Sequence, residues 1–133
     1  MPAKMFSADV SELQSVTDYV DEELNKYNCP AKIRMQFALC LEEMFVNVAH
    51  YAYSDIAGSV NVSVDVDANF YSVILEDEGT PFNPIEAEDP DVTLPIEKRK
   101  IGGLGIYMVK KTMDEVNYIY DNKNIFCMKK RVQ

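Results

Sequence analysis

The sequence predicts an α+β protein, a two-layer sandwich with helices on one face of a mixed, mostly antiparallel sheet. Three observations carry this expectation. Two segments near the N-terminus repeat apolar residues with helical period. The run Ser59–Asp67 alternates apolar and polar residues strictly. A hairpin pattern closes the chain after a third, shorter helical segment. At 133 residues the chain is expected to form one domain over its whole length, 1–133.

The first helix is signalled by Asp9 and Glu12, whose spacing is that of a capping box with Asp in place of Ser or Thr. Val10, Leu13, Val16, Val20 and Leu24 follow as its apolar stripe, and Asn28, Cys29 and Pro30 end it. A second helix is expected over residues 32–53, with Ile33, Phe37, Leu41, Met44 and Val48 facing the core. Val60, Val62, Val64 and Val66 form one face of a half-buried strand, and Asp67, Ala68 and Asn69 make the following turn. Tyr71 to Leu75 is apolar on both faces, the pattern of an inner strand, and runs into Glu76, Asp77 and Glu78. Pro81, Pro84, Pro90 and Pro95 then interrupt regular structure across a long charged loop from Gly79 to Gly102. A third helix is expected from about Gly105, with Ile106, Val109 and Met113 inward. Residues 116–120 and 125–130 form the closing hairpin around Asp121, Asn122, Lys123 and Asn124.

Bulk properties restrict the function. A net charge of −9 argues against a nucleic-acid partner, which needs a concentrated basic face. It leaves a free nucleotide open, because a metal and backbone donors can offset phosphate charge locally. No apolar run approaches the roughly 20 residues of a membrane span, and the N-terminus lacks an apolar signal core. Cys29, Cys40 and Cys127 are an odd, unpaired set, expected to be reduced thiols in a cytoplasmic protein. His50 is the single histidine, so a zinc site built on several histidines is ruled out.

Four of the five glycines lie at two places, Gly79 and the cluster Gly102, Gly103 and Gly105. The cluster joins a polar loop to a helix start, where glycine permits close backbone approach and unpaired N–H groups meet the positive end of the helix dipole. That combination can cradle phosphate; a simple glycine hinge is the alternative. A Rossmann fingerprint fails at Met108, and no Gly-Lys-Ser/Thr exists for a P-loop. On helix two, Glu43 and Asn47 are four residues apart and project from one side, with Gln36 and His50 on the same strip at the edge of the core stripe. A carboxylate there can polarise a hydroxyl or water, and an amide oxygen can ligate Mg²⁺. The alternative is a polar flank of an amphipathic helix.

Three segments in order, residues 41–49 (LEEMFVNVA), 76–84 (EDEGTPFNP) and 102–111 (GGLGIYMVKK), resemble the signature boxes of the gyrase, histidine-kinase and mismatch-repair ATPase superfamily. Within it the chain is most similar to the stand-alone serine-protein kinases that act as bacterial anti-sigma factors. The resemblance spans nearly the whole chain. It implies the histidine kinase-like ATPase (Bergerat) fold, with ATP and Mg²⁺ as ligands. By resemblance, Glu43 activates the acceptor hydroxyl or water, and Asn47 binds Mg²⁺. Asp77 accepts a hydrogen bond from the adenine amino group, and Gly79 lets the base lie against the backbone. Gly103 and Gly105, with Leu104 between them, match the phosphate-proximal segment, and the preceding loop matches a lid. Lys98, Arg99 and Lys100 supply positive charge in that lid, either for the transferring phosphoryl group or as a solvated patch, and Arg99 is taken as the nucleotide contact. Thr80-Pro81-Phe82 replaces the second glycine of the fuller first box. Cys127 stands where relatives often carry a hydroxyl near the adenine.

The implied function is an ATP- and Mg²⁺-dependent serine/threonine-protein kinase in a partner-switching circuit. It would bind a sigma factor and phosphorylate an anti-sigma-factor antagonist; a homodimer is compatible with the resemblance. The alternative is a non-catalytic ATP-binding module whose nucleotide shapes a docking surface.

Overall fold

Five strands and three helices form in the computed structural model, which describes residues 3–51, 58–86 and 103–132. In chain order they are β1 (Ala3–Ser7), α1 (Leu13–Asn25), α2 (Ala31–Tyr51), β2 (Ser59–Val66), β3 (Phe70–Asp77), α3 (Gly103–Thr112), β4 (Glu115–Tyr120) and β5 (Asn124–Arg131). They make one sheet of order β1-β2-β3-β5-β4. All four pairings among the described strands are antiparallel, so the expected parallel component of the sheet is absent from them.

Asp9 is a cap, with extended backbone and Oδ1 accepting from the Ser11 N–H at 2.9 Å. It caps a single 3₁₀ turn, Val10–Glu12, and α1 starts only at Leu13. The expected capping box is therefore not formed, and Val10 lies 44% exposed, outside the stripe of Val16, Val20 and Leu24. At the other end Asn28 takes a left-handed φ of 57°. The Cys29 N–H then bonds Leu24 O and the Asn28 N–H bonds Asn25 O, the two bonds of a Schellman stop. Pro30 follows at once, and α2 begins at Ala31, one residue before the expected start. Arg34 fastens the two helices: its Nη1 lies 3.1 Å from both Asp21 oxygens, and its Nε donates to Cys29 O.

Strand alternation places the core. Val60, Val62 and Val64 of β2, Tyr71, Val73 and Leu75 of β3, and Phe126 and Met128 of β5 are buried in one cluster with Val16, Phe37, Leu41 and Phe45. Burying a side chain of this kind stabilises by about 1.5–3 kcal/mol, which holds the helical layer on the sheet. Ile106, Val109 and Met113 extend the same core from α3, as their spacing predicts. β1 has no counterpart in the sequence reading. Of its five residues only Phe6 is buried, so no period-two signal exists to read.

The sheet thereby fixes one corner of the molecule. Asp77, the last residue of β3, continues the inward series Val73 and Leu75, and pairs with Val60 on one side and Asn124 on the other. α2 packs against α3 above this layer.

Candidate functional site

Asp77 is 6% exposed. Its Oδ1 accepts from the Gly79 N–H at 3.0 Å and from Asn124 Nδ2 at 2.9 Å. Its Oδ2 accepts no hydrogen bond from any described residue. That oxygen is not closed off from solvent, so it is open to a donor from water or a ligand.

Asn124, 5% exposed, organises the surroundings of that carboxylate. Besides Asp77, its Nδ2 donates to Thr80 O at 3.0 Å and lies 3.4 Å from Gly79 O. Its Oδ1 accepts from the Phe82 N–H at 3.2 Å and from the Tyr118 hydroxyl. The amide thus ties β3, β4, β5 and the segment after Asp77 together.

Met44, Asn47 and Val48 of α2 face this corner across a cleft whose other walls include Asp77, Phe82 and Tyr118. The cleft contains about 360 Å³ of empty space counted to its open mouth. It is narrow, apolar along most of its wall, and polar at Asp77 and Asn47. The Asn47 side chain is half-buried and makes no hydrogen bond to any described residue.

One turn earlier on α2, about 6 Å along the helix axis, stands Glu43. α3 approaches it so closely that a Cβ at Gly105 would lie 2.9 Å from Glu43 Cδ and 3.4 Å from Cγ, and would collide with Oε2. Only glycine fits there with Glu43 in this rotamer. α3 begins at Gly103, two residues before the expected start, so Gly103, Leu104 and Gly105 form its first turn. The backbone N–H groups of that turn have no helical partner and carry the positive end of the dipole.

The helix-two strip is more solvated than its spacing suggests: Glu43 and His50 are exposed, while Gln36 and Asn47 are half-buried. Among the described residues no cluster of three or more His, Cys, Asp and Glu side chains can hold a metal. A hard cation here would rely on Asn47, ligand oxygens and water, a set that suits Mg²⁺.

The structure brings Asn47 and Asp77 to one cleft, sets Gly79 against Asp77, and joins Glu43 to Gly105. Lys98, Arg99 and Lys100 lie outside the described residues. Cys127 is not beside Asp77. It pairs with Ile74 on the opposite face of the sheet, because inward positions of β5 are Asn124, Phe126 and Met128. Asn124 occupies the place expected of Cys127. It reads locally as a turn residue, and only the β3–β5 register, spanning 47 positions of sequence, puts it next to Asp77.

The model of the histidine kinase-like ATPase domain matches residues 6–130. The chain belongs to that family. An open antiparallel sheet covered by helices is the family's fold, and the three boxes lie on the elements described above. The chain is also similar to serine-protein kinase RsbW of Bacillus mycoides (strain KBAB4), with 22% identity over 99 residues. The same protein of Bacillus cereus (strain AH820) is 23% identical, and that of Bacillus thuringiensis (strain Al Hakam) 24%, again over 99 residues. Each match covers 71% of this chain and 62% of the relative, so the chain spans less than two thirds of these family members. No helix among the described residues is long and apolar enough to cross a membrane.

Proposed function

We propose that this domain binds ATP with Mg²⁺ and transfers the γ-phosphoryl group to serine or threonine on a partner protein. The observation that carries the reading is that Asp77, with its Oδ2 uncommitted, lines one cleft with Asn47, while Glu43 meets the first turn of α3 one helical turn away. Asp77 accepts the exocyclic amine of adenine. The N–H groups of residues 103–105 hold phosphate oxygens at the positive helix end. Asn47 ligates Mg²⁺, which when bound neutralises charge on the phosphates. Glu43 orients the acceptor hydroxyl and takes its proton as the phosphoryl group leaves ATP. Arg99, from the sequence between the boxes, offers a cation to the transferring group.

Phe82, 45% exposed, lines the same cleft and offers an apolar surface to the base. Similarity to the serine-protein kinases supports a cytoplasmic anti-sigma factor that phosphorylates its antagonist and holds a sigma factor when the antagonist is modified. Incubation with ATP, Mg²⁺ and a candidate antagonist, followed by mass spectrometry, should yield phosphoserine or phosphothreonine. Glu43→Gln should slow its formation at least about 100-fold; transfer at the parental rate would remove Glu43 from its role.

The exposure of Glu43 favours a second reading, in which bound ATP only shapes a docking surface. Tight ATP binding without phosphorylated product in the same assay would select it.

A further inference from the structure

We propose that Asn124, anchored by Tyr118, is the positioning residue that makes the cleft select a 6-amino purine over a 6-oxo purine. The inference rests on the nucleotide reading of the site and concerns a residue that the boxes do not contain.

The amide has only one orientation compatible with its neighbours. As it stands, two donor hydrogens meet acceptors, Asp77 Oδ1 and Thr80 O, and the oxygen meets two donors, the Phe82 N–H and the Tyr118 hydroxyl. Rotated by 180°, its NH₂ would face an N–H, and its oxygen would face a carboxylate and a carbonyl. Four partners therefore fix the amide, and at 5% exposure water offers little relief from a mismatch.

A fixed donor at Asp77 has a chemical consequence. An ionised carboxylate offers only acceptors, and the Asn124 and Gly79 N–H groups both occupy Oδ1. The same two bonds hold the carboxylate plane and leave Oδ2 as its uncommitted acceptor. An exocyclic amine satisfies it; a ring carbonyl opposes it, oxygen against oxygen. Asn124 has no hydrogen-bonding capacity left for the base itself and acts through Asp77. Because the same amide holds Thr80 and Phe82, it also fixes the segment that follows Asp77.

The test is the ratio of dissociation constants for ATP and inosine triphosphate, measured by calorimetry with Mg²⁺ at pH 7. The parent should bind ATP at least about tenfold tighter. Asn124→Ala should bring the two within about threefold. Asn124→Asp sets two carboxylates in contact that must share a proton, so Asp77 can donate, and the ratio should move toward the 6-oxo nucleotide. Tyr118→Phe keeps the ring and deletes one anchor; a fall of about two- to fivefold is expected, and this variant carries the test if Asn124→Ala does not fold. A merely structural role would weaken both nucleotides by one factor. Unchanged ratios in these variants, with the parental preference intact, would overturn the proposal alone. A parent protein that binds neither nucleotide would overturn the nucleotide reading and the proposal with it.

Discussion

Gly105→Ala adds one methyl group to the first turn of α3, 2.9 Å from Glu43 Cδ and in collision with Oε2. Two effects of opposite sign follow. Alanine is favoured over glycine in a helix by about 0.5–1 kcal/mol, with the lower figure apt for a first turn. Against this, Glu43 must leave its rotamer. Its side chain is exposed and ends in a flexible carboxylate, so another staggered well costs less than the 0.5–1.5 kcal/mol, roughly, of a strained one. The balance is a change in stability between about zero and +0.5 kcal/mol, a melting shift of at most about 2 °C upward. Function responds differently. On the proposed reading the carboxylate leaves the first turn of α3, where the phosphoryl group would be held, and general-base assistance of about 100- to 10,000-fold would depend on its position. Phosphoryl transfer should fall at least about tenfold, while ATP affinity, which the proposed reading sets at Asp77, should change less than about threefold. Calorimetric melting, nucleotide titration and a phosphorylation time course on one preparation measure all three. Destabilisation beyond about 1 kcal/mol would mean that α3 cannot yield and that Glu43 is clamped; full transfer activity would mean that the contact has no catalytic meaning.

Asp77→Asn keeps the size of the side chain but presents an amide where an acceptor stood, and ATP affinity should drop about 10- to 100-fold by calorimetry with a small change in melting. Ser63→Ala removes a buried hydroxyl that has no partner among the described residues, so thermal unfolding should show a gain of about 1 kcal/mol. Cys40 is fully buried, and burial first of all pushes its thiol up to about 11. At pH 8 roughly one part in a thousand is thiolate, so alkylation followed by mass spectrometry should find it unmodified until the protein is unfolded. Rapid native labelling would mean that α2 opens locally.

Fold and site differ in how far local sequence reveals them. α2 and β2 announce themselves because each buries one face at its own period, as Phe37, Leu41 and Met44 do for the helix and Val60, Val62 and Val64 for the strand. β1 is silent, since an edge strand with Phe6 as its single buried residue has no alternation. Asp9 was legible as a cap, but the tight turn it starts is decided by how the chain leaves β1, with the Asp9 N–H bonded to Ser7 O. Asp77, Asn47, Glu43 and Gly105 could be singled out because acid, amide and glycine are unusual at their places in strand, helix and loop. Asn124 could not. Asparagine in a turn is ordinary, and its meaning comes from a strand pairing across 47 positions. The error over Cys127 has the same origin: it stands three positions from Asn124 along β5, and an odd shift exchanges the cleft face for the outer face.

The most direct test is a crystal structure with Mg²⁺ and a non-hydrolysable ATP analogue. The adenine amine should lie within hydrogen-bond distance of Asp77 Oδ2, the metal on Asn47, and the phosphates at the first turn of α3 beside Glu43. A nucleotide bound elsewhere, with Asp77 Oδ2 and residues 103–105 untouched by it, would contradict the assignment of the cleft.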